Sequence, residues 1–451
     1  AGSDGYKWYQ ISFSYGGLTK TGYVRSDFVT ITQTSSDGKV SEAEFEQTIA
    51  SFPESYKASL RDLHAKYMNW KFEAVDTGLD WNDVVAAETA VGKNLIASNS
   101  IASWKSTDVR AYDYNTGTWY GFDGKSWVAA SPEIIKFYLD PRNFLDDSGI
   151  FQFETLDARE YHNEAGVSGV LNSTFMSDTY LDTDGATRSY ATTFVEAGAA
   201  NGISPYHLAA RCLQEQGTLG LSASISGTVN GAQNLFNYFN IGAFAANGNS
   251  AVMNGLIYAA GTDENYLRPW NSRYRSIMGS AKYVSERYVK KGQNTLYFQK
   301  FNVVNSENGI YTHQYMSNIQ AASAEAARMK RAYSDLNAPL VFKIPVYKNM
   351  PDIKCQKPDS ETEPNSYLSS LSVEGYTIAP KFYGDIEQYY LEVEPHVNEV
   401  TINATPATAS ASVWGTGTTS IHNGPNIITI SCKAPNGEIR NYTLIVFRKE
   451  S

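Results

Sequence analysis

Cysteine is nearly absent: Cys212, Cys355 and Cys432 are the only three in 451 residues. They fall in three different stretches, with neither close pairing nor metal-ligand spacing, which removes a disulfide framework and a zinc site from consideration. Charge is also scarce, at 19% Asp, Glu, Lys and Arg against about a quarter of an average globular domain. The net charge of −10 comes without any basic stripe, which argues against a nucleic-acid partner and leaves an uncharged polysaccharide open. No run approaches the roughly 18 apolar residues of a membrane span, so no membrane insertion is expected. The chain opens on Ala1-Gly2-Ser3-Asp4-Gly5 rather than on an apolar leader, so any signal segment is not in this chain. No cofactor or metal is expected.

What is abundant is aromatic: 31 tyrosines, 8 tryptophans and 20 phenylalanines. Sugar-binding surfaces look like this, and so do many β-rich extracellular proteins. The length exceeds one compact core and predicts roughly three or four domains.

Residues 1–33 read as two short strands, Trp8–Phe13 and Gly22–Val29, around the Gly16-Gly17 turn. This segment resembles the closing strands of a bacterial SH3-like barrel, of which only the tail is present, and no binding is expected from it. A polar linker, Thr32–Lys39, follows. Residues 41–130 form an accessory α+β region: helical spacing over Glu42–Ala50 and Pro53–Tyr67, an Asp80 cap before a third helix, and a hairpin pairing Ala111–Tyr114 with Trp119–Phe122. His64, Asp80, Asp83 and Glu88 of this region are read as caps and solvated faces, and no chemistry is placed there. The region is expected to pack beside a groove and lengthen it.

Ser131-Pro132 caps the first helix of a predominantly helical stretch over 131–336, the expected catalytic domain. A strand, Leu340–Tyr347, and a Pro/Glu/Ser-rich linker fill 337–365. Residues 366–451 alternate strands with Gly, Pro and Asn turns, as in a small β-sandwich. The series Leu368-Ser369-Ser370-Leu371-Ser372-Val373, Tyr389–Val393, Val400–Ile402 and Tyr442–Val446 resembles the bacterial cadherin-like sandwich, a spacer or adhesion module. The expected fold class is multidomain α+β, with a mainly helical catalytic domain followed by an all-β sandwich.

The sharpest local signal is Ser204-Pro205-Tyr206-His207-Leu208-Ala209-Ala210-Arg211-Cys212-Leu213-Gln214-Glu215-Gln216-Gly217. Ser204 is a helix cap, Pro205 takes the first helical position, and Gly217 provides a left-handed stop. Leu208, Cys212 and Glu215 stack at i, i+4 and i+7, so Glu215 continues an apolar stripe in the last turn. Burial and the negative end of the helix dipole both disfavour its charged form, as a proton donor near neutrality requires. Taken alone, a solvated glutamate at a helix end is the favoured reading, and the surrounding sequence reverses it. Downstream, Asn234–Ala243 is rich in aromatics and amides, suited to stack sugar faces and bind N-acetyl groups, with core packing of the rings as the competing account.

Together, Leu208-Ala209-Ala210-Arg211-x-x-Gln214-Glu215-x-Gly217 and Asn237-x-Phe239-Asn240-Ile241-Gly242-Ala243 resemble the glucosaminidases of glycoside hydrolase family 73, over roughly 131–336. Arg268-Pro269-Trp270, the helix at Ser276–Tyr288, Gly292–Val303 and His313–Asn318 extend the likeness. The resemblance implies a lysozyme-like fold, Glu215 as general acid, and Tyr315 as a groove tyrosine stabilising substrate or intermediate. It further implies a possible second carboxylate after the aromatic segment, for which Glu264 is the candidate, with Asn237, Tyr238, Phe239, Asn240, Gln314 and Trp270 as substrate contacts. The implied substrate is the glycan strand of peptidoglycan, cut after N-acetylglucosamine by a monomeric, extracellular, wall-associated protein of a Gram-positive bacterium. A muramidase or lytic transglycosylase on the same fold, and a non-catalytic wall-binding or adhesion protein, are the alternatives.

Overall fold

A computed structural model describes residues 8–15, 18–28, 42–307, 309–333, 336 and 338–450. The Thr32–Lys39 linker lies outside them. At the N-terminal end, β1 (Trp8–Tyr15) and β2 (Leu18–Arg25) pair antiparallel as a hairpin. Then come α1 (Glu42–Ile49), α2 (Glu54–Lys66), β3 (Lys71–Asp80) and α3 (Trp81–Glu88), whose first turn is capped by the Asp80 carboxylate accepting from Asn82 N at 2.8 Å. Short strands follow: β4 (Leu95–Ala97), β5 (Tyr112–Asp113), β6 (Thr118–Trp119), β7 (Gly121–Asp123) and β8 (Trp127–Ala129). β5 and β6 form a hairpin shorter than expected, because Gly121 and Phe122 belong to β7 instead, and β4, β8 and β7 form a three-stranded sheet in that order.

The helical stretch holds α4 (Pro132–Leu139), α5 (Glu164–Leu171), the small β9 (Thr179–Leu181) and β10 (Thr187–Ser189) hairpin, α6 (Tyr190–Asn201), α7 (Pro205–Gln216), α8 (Ala251–Ala259), α9 (Arg273–Arg287), α10 (Leu296–Lys300) and α11 (Ala321–Met329). Serine, threonine and asparagine side chains start most of these helices: Ser131 accepts from Ile134 N, Ser189 from Thr192 N, and Thr295 from Phe298 N. Each satisfies one of the four donors that a helix start leaves unpaired. α7 is buried nearly all round, with Leu208, Ala209, Ala210, Cys212 and Leu213 enclosed together with the polar His207, Arg211 and Gln216. That pattern belongs to a helix enclosed by others, and α5, α6 and α11 pack around it.

The strand after this stretch, β11 (Val341–Lys348), pairs parallel with β3, Val341 facing Lys71 and Val346 facing Asp76. One apolar core runs from Phe45 to Tyr347, joining Trp70, Phe72 and Phe342 to Phe151, Phe153 and the helices. The boundary drawn at 130/131 therefore does not coincide with a break in the core. Local periodicity cannot show this, because the partner of β3 lies far along the chain.

The C-terminal part comprises β12 (Leu368–Val373), β13 (Gln388–Val393), β14 (Glu399–Pro406), β15 (Ser412–Trp414), β16 (Gly417–Ser420), β17 (Gly424–Lys433) and β18 (Ile439–Arg448). Two sheets, β12-β14-β16 and β13-β18-β17-β15, enclose a second core built from Leu371, Tyr389, Leu391, Ile402, Ile430, Tyr442 and Leu444. Along β13, buried and exposed residues alternate strictly, the period-2 signature of a strand with one face inward. Among the described residues no helix is long and apolar enough to cross a membrane.

Candidate active site

α7 ends at a groove of about 630 Å³ lined by Arg211, Glu215, Phe239, Asn240, Tyr288 and Tyr315, among others. Gly217 stops the helix at φ 69°, ψ 168°. This is not the left-handed helical well expected there but an extended positive-φ region open essentially to glycine alone. The stop leaves Glu215 in the final turn, half-buried, at the wall of the groove.

Each carboxylate oxygen of Glu215 accepts one hydrogen bond: Oε1 from the Tyr315 hydroxyl, and Oε2 from Asn240 Nδ2 at 3.0 Å. Asn240 Nδ2 also donates to the Glu215 carbonyl at 3.2 Å. Burial pushes the Glu215 carboxyl up to about 7; the Arg211 guanidinium one turn earlier and the Asn240 amide pull it down, and Glu325 adds a small upward push. Burial outweighs the nearby cation, so the acid form persists to neutrality. Arg211 is itself buried. Its Nη1 donates to Gln299 Oε1 at 2.6 Å, and its guanidinium lies over the Tyr315 ring, 3.0 Å from the centroid. Behind it, the imidazole of His207 and the carboxylate of Glu325 meet at 2.9 Å in the core. Burial lowers the His207 pKa despite that carboxylate.

Of the residues read from the sequence, Glu215, Tyr315, Phe239 and Asn240 meet at the groove. The others do not line it. Asn237 is fully buried, its Nδ2 donating to Ile241 O at 2.8 Å and Gly255 O at 2.9 Å, its Oδ1 accepting from Ile241 N at 3.0 Å. These bonds shape the turn and leave little of the amide for a ligand. Tyr238 is buried with its hydroxyl 2.8 Å from that of Tyr190. Trp270 is a core ring whose Nε1 donates to Tyr266 O at 2.7 Å. Glu264 sits exposed in the turn Glu264–Tyr266, capped by Asp263, and is not part of the groove lining. Gln314 turns away, donating to Glu88 Oε1 at 2.5 Å.

The accessory region corrects the sequence reading further. Glu88 is fully buried rather than solvated, and His64 is buried with its ring stacked on Phe45, centroids 3.9 Å apart. Asp123 of β7 and Trp127 of β8 line the groove, so this region contributes wall residues directly. The Asp123-Gly124 turn between aromatics was the available signal, but a hairpin tip reads the same whether it faces solvent or a cleft. Among the described residues, no group of three or more His, Cys, Asp or Glu side chains is placed to share a metal ion.

No family model matches the sequence. A bifunctional autolysin of Staphylococcus epidermidis is 30% identical over 232 residues, 49% of this chain and 16% of the relative. A bifunctional autolysin of Staphylococcus aureus (strain COL) is 25% identical over 228 residues, 49% of this chain and 17% of the relative. The chain thus spans only a small share of these relatives' length. Among solved structures, that of a major bifunctional autolysin is 23% identical with a TM-score of 0.38, covering 61% of this chain and 98% of the other. Glucosaminidase B of S. aureus is 19% identical with a TM-score of 0.39, covering 62% and 94%.

Proposed function

We propose that this chain, 30% identical over 49% of its length to a bifunctional autolysin, is a glucosaminidase of glycoside hydrolase family 73 and hydrolyses the β-1,4 bond after N-acetylglucosamine in peptidoglycan. The observation that carries this is a half-buried Glu215 in an aromatic-lined groove, its carboxyl pushed up to about 7 and met by the Tyr315 hydroxyl. Each oxygen of Glu215 accepts one hydrogen bond from the protein and retains a lone-pair position for a proton. The protonated acid donates to the glycosidic oxygen as its bond to the anomeric carbon breaks, so the leaving sugar departs with a new hydroxyl, and positive charge spreads over that carbon and the ring oxygen until water adds there and gives up its proton. Tyr315 and Asn240 then stabilise the carboxylate left behind.

The same reading takes the helical part as lysozyme-like, the C-terminal sheets as a cadherin-like spacer, and the protein as extracellular and bound to a Gram-positive wall. The relatives' names and the aromatic groove support the wall assignment. In the test, Glu215→Gln abolishes lysis of purified peptidoglycan, with pelleting on the same material nearly unchanged. Mass spectrometry of the wild-type digest yields reducing-end N-acetylglucosamine. A reducing-end muramic acid establishes a muramidase instead, and an anhydro-muramic product a lytic transglycosylase. Lysis that survives Glu215→Gln overturns the assignment.

A further inference from the structure

We propose that Glu88 is a positioning residue of the active site, holding through Gln314 the loop that presents Tyr315 to Glu215. The inference rests on the reading of Glu215 as the general acid.

Glu88 ends α3 with its side chain fully buried. A buried carboxylate is tolerated only with partners that replace its water, and it has three: Oε1 accepts from Lys93 Nζ at 2.9 Å and Gln314 Nε2 at 2.5 Å, and Oε2 accepts from Asn94 Nδ2 at 3.0 Å. Asn94 passes the network on, because its Oδ1 accepts from Lys300 Nζ, which also donates to the Met316 carbonyl at 2.9 Å. The residues on either side of Tyr315 are therefore tied to one buried network, in which Asn94 bridges Lys300 to the Glu88–Lys93 ion pair. Lys300 is buried nearly as completely as Glu88.

The backbone agrees. Leu95 N donates to Ser317 O at 2.8 Å and accepts, through its carbonyl, from Ile319 N at 3.0 Å, so β4 runs alongside the end of the loop. Tyr315 N donates to Gln299 O at 2.9 Å, and the same Gln299 holds Arg211 against the Tyr315 ring. Just before Tyr315, two non-glycine residues sit at positive φ, Tyr311 at 67° and His313 at 52°. Such conformations persist where the surroundings over-determine them. A strained loop anchored on both sides of its functional residue is placed, not merely packed.

The consequence is quantitative, because a catalytic group displaced by about 1 Å costs on the order of 100-fold in rate. Gln314→Leu removes the link and leaves Glu88 two donors, so it frees the loop without stranding a buried charge. Gln314→Leu and Glu88→Gln are each expected to lower kcat on purified peptidoglycan by about 10- to 100-fold, with KM held within about twofold. In a Tyr315→Phe background the same changes cost less than about threefold, since residues acting as one unit are not additive. An equal factor in both backgrounds, or an effect confined to KM, overturns the proposal. Should Glu88→Gln fail to give a wild-type circular dichroism spectrum, Gln314→Leu decides alone. Retained lysis by Glu215→Gln sinks the catalytic reading itself; loss in Glu215→Gln with wild-type kcat in Gln314→Leu sinks only the positioning role.

Discussion

Replacing Glu215 by glutamine is expected to make the protein more stable at alkaline pH as it abolishes catalysis. The carboxyl rises from an ordinary 4.5 to about 7 on folding because burial disfavours its charge. In this pH interval the folded state binds a proton that the unfolded state has released, so stability falls as pH rises. The loss begins near 4.5, is complete just above 7, and is absent below 4.5. At about 1.4 kcal/mol per pH unit, the interval corresponds to about 3 kcal/mol. Glutamine does not titrate. It also cannot accept from Asn240 through its amide nitrogen, which costs about 1 kcal/mol at every pH and cancels from the comparison. The assay is urea unfolding of both proteins followed by tryptophan fluorescence at pH 4 and pH 8. The free-energy gap should move by about 3 kcal/mol in favour of Glu215→Gln between those values. A gap that is independent of pH, or that moves toward the wild type, refutes the account of a carboxyl held neutral by burial.

Arg211→Met removes the cation that opposes burial at Glu215, so the alkaline limb of kcat/KM moves to higher pH; a limb that stays or falls contradicts the assigned electrostatics. Glu264→Gln keeps lysis within about twofold of wild type, because an exposed turn residue outside the groove has no part in the chemistry; a tenfold loss would restore it as the second carboxylate. In α9, a Cβ on Gly279 would run into the Tyr266 carbonyl oxygen and the Trp270 indole nitrogen, which bond each other. Gly279→Ala is therefore expected to cost about 1–3 kcal/mol, read as a lowered melting temperature, and an unchanged one would show that the turn yields freely.

What could be read in the sequence was what neighbours in sequence determine. Ser204, Pro205 and Gly217 bound α7 as expected, and three-and-four spacing put Glu215 on the stripe begun by Leu208 and Cys212. Tyr315 rested on a resemblance and reaches Glu215 across 100 residues of chain. Asn237, Tyr238 and Trp270 were misplaced for a chemical reason: amides and aromatics that suit a sugar equally suit a core in which every polar atom must be satisfied. Asn237 closes a turn with the same groups it would offer an N-acetyl group. Glu88, Asp123 and Trp127 were passed over because their surroundings are set by contacts from distant segments, and no local pattern separates a buried carboxylate with three donors from one in water. The pairing of β3 with β11 escaped for the same reason.

That pairing also governs the order in which the protein can come into being. β3 lies at residues 71–80 and its neighbour at 341–348, so a chain emerging from a ribosome or threading through a pore carries an unpaired edge until nearly all of the groove-forming part has followed. The Glu88 network, built beside that strand, waits on Lys300 and Met316 as well. The groove wall and the buried network behind it are therefore completed together, only once the strand at 341–348 has arrived.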